Sequence, residues 1–238
     1  MWSQKYEFFH HLLQDEMTDS GFRFEPIFID QSVFDKNLYQ LEAHAWMGSN
    51  LKVDTVISCL KKAEQNKDPY ILFTDIDIIV KPGIYDKLQP YIEAGTSMVF
   101  LKEGEHINIG FMLFKVCPEV LAFWELVKAK VIENPNRLDQ AYVNTLVNEF
   151  PGIWSHFDRQ TFTCTNIWDG ATSFVMIQLL SSCLGKEFDF AEKIFYAAQY
   201  TNVENYMKYV PENIVPFIYR FQEILVRSHQ EAKDASHS

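Results

Sequence analysis

Between the turn signals Asn66-Lys67-Asp68-Pro69 and Lys81-Pro82-Gly83 lies the run YILFTDIDIIV, residues 70–80, apolar but for Thr74, Asp75 and Asp77. A run this short, this apolar and bounded this way reads as one buried β-strand. Residues two apart on a strand share a face, so Asp75 and Asp77 stand side by side, ~6.5–7 Å apart along the chain. Ionised carboxylates are costly to take out of water. Two of them beside a core need a reason.

The segments around this run set the fold class. Val53, Val56, Ile57 and Leu60 recur at i, i+3, i+4 and i+7 before it, which predicts a helix over 50–65. An earlier helix is expected from Ser3 to about Ser20, with Ser3 as N-cap and Gly21 as stop, then a strand over 23–30. After the run come a short helix over 84–95, strands over 97–103 and 107–116, and a helix opened by Pro118. Val143, Leu146, Val147 and Phe150 mark another helix, residues 153–165 read as extended, and the pattern from about Ser173 reads as helical. Alternating β and α segments predict an α/β sandwich with a mostly parallel central sheet flanked by helices. Residues 1–170 are expected to form the core, 171–227 a helical part of the same domain, and 228–238 a disordered tail.

Composition excludes several classes of function. The formal net charge is -11, against the basic surface that phosphate neutralisation on a duplex requires, so no nucleic-acid partner is expected. A hydrophobic content of 47% with 15% aromatics describes a globular chain. Cys59, Cys117, Cys164 and Cys183 are too scattered for a zinc site and predict reduced thiols. No apolar run approaches the ~18 residues of a membrane span, and the first residues lack signal-peptide character. A cytoplasmic protein is the expectation; oligomeric state is not legible.

Two carboxylates at the carboxyl end of a strand in an open α/β sheet stand where ligands bind. So close together they repel, unless a cation is shared. Oxygen ligands of this kind suit Mg²⁺ or Mn²⁺, with substrate phosphates completing the shell. The alternative is that both acids lie beyond the buried part of the strand and are solvated. The flanks YILF and IIV weigh against that.

Three segments in order carry a resemblance: TDIDIIV, then NIGFMLFK about thirty residues on, then LDQAYVN after about thirty more. Together they resemble the nucleotide-diphospho-sugar transferases of the GT-A glycosyltransferase fold, whose pattern is D-x-D, N-x-G on a following strand, and D-Q opening a helix. The resemblance covers roughly residues 20–150. It implies that Asp75, Ile76 and Asp77 hold the nucleotide ribose and the Mn²⁺ or Mg²⁺ bridging the diphosphate. It implies that Asn108 and Gly110 line the donor-sugar pocket, where a missing Cβ admits substrate; an ordinary strand-entry turn is the alternative. Asp139 and Gln140 would touch sugar hydroxyls or sit near the anomeric carbon, though an acid opening a helix is also a usual N-cap. Lys52 matches the family's lysine one helix before the D-x-D and would meet the diphosphate or sugar; a solvated helix lysine is the alternative.

The activity so implied is metal-dependent transfer of a sugar from a nucleotide diphosphate, a UDP-sugar in the first instance, to an acceptor hydroxyl on a glycan or other molecule. Asp139 and Asp158 are candidate bases should the reaction invert. The family's C-terminal H-x-x-G-x-x-K segment, often a third metal ligand, has no match, which leaves His156, Asp158 and Asp169 as substitutes. The family's first strand, which cradles the nucleobase, also has no counterpart before the opening helix. Trp168, Tyr196 and Tyr200 are candidates for stacking on a sugar, with core packing as the alternative. Two other readings stay open. One is a phosphatase of the haloacid dehalogenase type with Asp75 as nucleophile and Asp77 as general acid; the other is a non-catalytic nucleotide-sugar-binding relative.

Overall fold

A computed structural model describes residues 6–18, 20–28, 49–135, 137–165, 174–181, 186–221 and 223. The chain opens on helix α1 (Glu7–Met17); residues 23–27 carry no regular secondary structure and Phe28 makes a single bridge, so the strand expected over 23–30 does not form in its described part. Helix α2 (Ser49–Asn66) leads into β1 (Tyr70–Thr74), and β2 (Ile78–Val80) follows after a bend. Then come α3 (Ile84–Glu93), β3 (Met98–Glu103), β4 (His106–Lys115), α4 (Pro118–Glu133) and α5 (Asp139–Leu146). Short strands β5 (Trp154–His156), β6 (Phe162–Cys164) and β7 (Met176–Gln178) precede helix α6 (Lys186–Tyr200).

The α/β arrangement with helices packed on sheet holds. The single strand expected over 70–80 does not. Asp75, Ile76 and Asp77 form a bend between β1, which belongs to a four-stranded sheet ordered β1-β4-β3-β5, and β2, which belongs to a three-stranded sheet ordered β2-β7-β6. Periodicity in an apolar run cannot separate one long buried strand from two short ones in different sheets. Pairing is more mixed than mostly parallel: β1 with β4, β3 with β4 and β2 with β7 are antiparallel, while β3 with β5 and β6 with β7 are parallel. A tight turn at Gly104-Glu105, with φ +57° at Gly104, folds β4 straight back on β3 and leaves no room for a parallel crossover.

Register along β4 shifts once. Phe100 faces Met112 but Leu101 faces Asn108, so Ile109, Gly110 and Phe111 bulge from the ladder. The bulge exchanges the two faces of the strand. Before it Ile107 and Ile109 enter a core with α2, α4 and α5, and after it Met112 and Phe114 do so. Phe111 and Leu113 join a second core with Phe8, Phe9 and Leu13 of α1, Ile78 to Val80 of β2, and Phe190 and Ile194 of α6. The Asp75 backbone N–H donates to the Gly110 carbonyl at 2.7 Å, so the bend sits against the bulge.

Other expectations shift by element. Ser3 lies outside the described residues, and α1 ends at Met17. The segment from Ser173 is not uniformly helical, because Met176–Gln178 pairs with Ile78–Val80 as a strand. Three apolar residues between Phe174 and Leu179 suit a strand wholly inside a core, which carries no alternation to announce it. Residues 228–238 lie outside the described residues. Cys59 and Cys117 are free thiols, Cys164 is buried, Cys183 lies outside the described residues, and no helix among those described is long and apolar enough to cross a membrane.

Candidate active site

The bend between the two sheets gives its two acids different neighbours. The Lys52 ammonium, one turn into α2, lies 2.7 Å from Asp75 Oδ1 and 2.9 Å from Asp75 Oδ2. Its side chain is only 12% exposed, so the solvated-helix reading of Lys52 does not hold. Asp77 is buried and receives a hydrogen bond from the ammonium of Lys193 on α6, itself buried. The Asp77 carbonyl accepts from the Leu179 N–H at 2.9 Å, which fixes its main chain to the residue after β7. Ile76 points its side chain into the core, 6% exposed, so only its main chain is left for a ligand.

The N-x-G segment is held as tightly. Asn108 Oδ1 accepts from the Gly110 N–H at 2.6 Å, and Asn108 Nδ2 donates to Glu103 Oε2 at 2.9 Å. A Cβ on Gly110 would collide with the side-chain amide of Gln178 on β7. That amide donates weakly to Asp75 Oδ2, at 3.5 Å. Asp75 thereby fixes the amide's orientation, and the buried Gln178 Oε1 has no hydrogen-bond partner among the described residues. A buried acceptor without a partner is costly and marks a place where a ligand donor would be favoured.

Helix α5 closes the third side. Asp139 is its first residue and not its N-cap; the N-cap is Leu138, and Asp139 Oδ1 instead accepts from the Gln140 N–H at 2.8 Å. Burial raises the Asp139 pKa above the usual carboxylate range, with Lys52 pulling against the shift. Gln140 Oε1 accepts from the Ile109 N–H at 3.2 Å, and Asn144 bonds both backbone groups of Ile107. Two helical side chains thus carry the strand edge that bears Asn108 and Gly110.

Lys52, Asp75, Asn108, Gly110, Asp139 and Gln140 are accordingly linked by direct contact or through one shared strand. Two of the proposed substitutes for a third metal ligand, His156 and Asp158, are not. His156 pairs along β3 opposite Phe100 and stacks edge-on against Trp154. Asp158 Oδ2 accepts from the Thr161 N–H at 3.0 Å and its hydroxyl at 2.6 Å, which makes it a turn-former. Asp169 and Trp168 lie outside the described residues. Tyr196 packs on Phe195 and Phe221, and Tyr200 on Phe174, as core and rim aromatics.

Three residues that the sequence did not single out complete the site: Gln178, Lys193 and Tyr6. Burial pushes the Tyr6 phenol up to about 12, Lys193 working against the shift and Asp77 and Asp75 with it. Lys193 left a trace in the sequence. Phe190, Lys193, Ile194 and Ala197 stand at i, i+3, i+4 and i+7, so a lysine sits inside the apolar stripe of α6.

The GT-A resemblance implies Mn²⁺ or Mg²⁺ at Asp75 and Asp77. Such an ion takes about six oxygen ligands in near-octahedral order. Both Asp75 oxygens are within reach of Lys52 and Asp77 faces Lys193, so the acids as placed already have cations. Among the described residues no three His, Cys, Asp or Glu side chains converge as a metal set. Among the described residues, the donor set as arranged does not fit a divalent ion.

No family model and no curated protein sequence matches the chain. Similar solved structures are a glycosyltransferase involved in glycosylating the major capsid of PBCV-1, mouse xyloside xylosyltransferase 1 and the bifunctional glycosyltransferase WbbM. The first aligns with a TM-score of 0.56 at 16% identity over 82% of this chain and 92% of that one. The xylosyltransferase gives a TM-score of 0.40 at 14% identity over 62% and 70% of the two chains. WbbM gives 0.48 at 12% over 81% and 48%. On the first alignment and the topology above, the chain has a GT-A-like glycosyltransferase fold.

Proposed function

We propose that this chain transfers a sugar from a nucleotide diphosphate, a UDP-sugar in the first instance, to an acceptor hydroxyl. The observation that carries the reading is the convergence at one bend: Asp75 is held by Lys52 and by the Gly110 carbonyl, beside a strand whose edge Gln140 and Asn144 fix. The Gln178 amide packs over Gly110, and a donor sugar lying against that amide donates one of its hydroxyls to Gln178 Oε1. Asn108 has both ends of its amide engaged, so it shapes the pocket wall. Asp139, whose pKa burial raises against the pull of Lys52, places a carboxyl where a sugar hydroxyl can hydrogen-bond to it. Gln140 acts first as a positioning residue, its carbonyl oxygen being engaged by Ile109. Lys52 brings positive charge to where the diphosphate leaves, and fixed charge aimed at a developing anion is a large catalytic effect. The phosphatase and non-catalytic alternatives gain no observation of their own.

The test is calorimetric titration of UDP- and GDP-sugars into the wild type and Gly110→Ala, followed by a search for transferred sugar on hydroxyl acceptors. One nucleotide sugar is expected to bind, and Gly110→Ala to weaken it at least about tenfold, or ~1.4 kcal/mol, with an unchanged circular dichroism spectrum. Failure of every nucleotide sugar to bind the wild type overturns the reading.

A further inference from the structure

We propose that Lys193 is a built-in counter-ion at the aspartate bend, standing where a divalent metal would stand, so that this site binds a nucleotide diphosphate without a metal. The proposal rests on the nucleotide-sugar reading and concerns how that site manages charge.

Geometry comes first. Lys193 reaches Asp77 from α6, and its side chain and that of Asp77 are 5% and 10% exposed. The flanking stripe residues Phe190, Ile194 and Ala197 are each at most 1% exposed, which leaves the lysine stem no route to solvent. Tyr6 and Asp75 also lie within electrostatic reach of its ammonium. Lys193 thus meets the buried Asp77 carboxylate as its direct charge partner. Lys52 does the same for Asp75 from the opposite side, across both carboxylate oxygens.

Charge then decides between ammonium and metal. Two aspartates face two lysines. A divalent ion at Asp77 would have to displace a buried ammonium, and a buried charge that loses its partner is strongly penalised. It would also bring two more positive charges beside the ammonium it displaced. The paired carboxylates in the D-x-D are therefore explained by lysines placed on two helices far apart in sequence.

The experiment uses the full chain. UDP and GDP are titrated calorimetrically in EDTA and again in Mn²⁺, and free Mn²⁺ is followed by its electron paramagnetic resonance signal as protein is added. The expected result is a nucleotide Kd equal within about twofold in the two buffers, with the Mn²⁺ signal undiminished by protein alone. The charge-free pair Asp77→Asn with Lys193→Met keeps the fold by removing both buried charges, as a retained melting transition verifies. It is expected to weaken nucleotide at least about tenfold in EDTA. Tightening by Mn²⁺ of about tenfold or more, Mn²⁺ captured by the wild type, or wild-type affinity in the folded pair each overturns the proposal. No nucleotide binding in either buffer overturns the transferase reading itself and the proposal with it.

Discussion

Glu16 on α1 is a carboxyl held near neutrality by its surroundings. Burial raises its pKa from 4.5 to about 7, although the Val80 N–H, at 2.7 Å, and Thr201 favour the charged form. A raised pKa means that the folded state holds the proton more firmly than the unfolded chain does. The stabilisation is complete below about pH 4.5 and is lost as pH rises through about 7. Glu16→Gln keeps the acceptor for Val80 and removes the titration, so it is expected to stabilise the protein at pH 8 by roughly 2–3 kcal/mol and to change little at pH 4.5. Urea denaturation of both proteins across that range checks it, and parallel curves would refute the assignment. Single residues also show where sequence reading stops. Asp75, Asn108 and Asp139 were legible because each sits in a short pattern whose chemistry is unusual for its place. Gln178 and Lys193 were not, because one polar residue in an apolar segment identifies no partner, and theirs lie 103 and 116 positions away.

At the scale of elements, α5 is attached to β4 through side chains, and this attachment sets the edge of the site. Asn144 Oδ1 accepts from the Ile107 N–H at 2.7 Å, and Asn144 Nδ2 donates to the carbonyls of Ile107 and Gln140 at 2.8 Å each. Ile107 is buried, so neither of its backbone groups has water as a substitute. Asn144→Ala is expected to cost roughly 2–4 kcal/mol of stability, since it leaves two buried polar groups unpaired. It should also weaken the nucleotide sugar, because Gln140 lies one turn before it on the same helix and holds the neighbouring Ile109. Denaturant titration and calorimetry on one preparation check both, and a loss of stability with intact affinity would separate α5 from the site. The element order was legible in the sequence, since helix periodicity and Gly and Pro stops are local signals. The break between β1 and β2 was not, and neither was β7. Each depends on which sheet a buried strand joins, and that is decided by partners distant in the chain.

For the whole molecule, the consequence is that the site lies on a seam. The four-stranded and three-stranded sheets have separate edges, and the cores on either side draw on different helices: α2, α4 and α5 for one, α1, α3 and α6 for the other. At the Asp75–Asp77 bend the chain steps directly from β1 to β2, with Lys52 paired to Asp75 on one side and Lys193 to Asp77 on the other. A ligand seated on the seam therefore contacts both halves and should stabilise them together. Binding to the native state alone contributes about 2.7 kcal/mol at a ligand concentration of 100 times Kd. For a chain of this size each kcal/mol shifts Tm by about 2–4 °C, so the bound nucleotide sugar is expected to raise Tm by roughly 5–10 °C. The rise should appear as one transition that moves whole. If the ligand instead splits the melting curve, with one step shifted and one unmoved, the two cores unfold independently and the nucleotide site belongs to one of them alone. Gly110→Ala is the control for the same scan, since a Cβ that displaces the Gln178 amide and weakens the ligand about tenfold should cut the shift to about half or less while the unliganded transition remains.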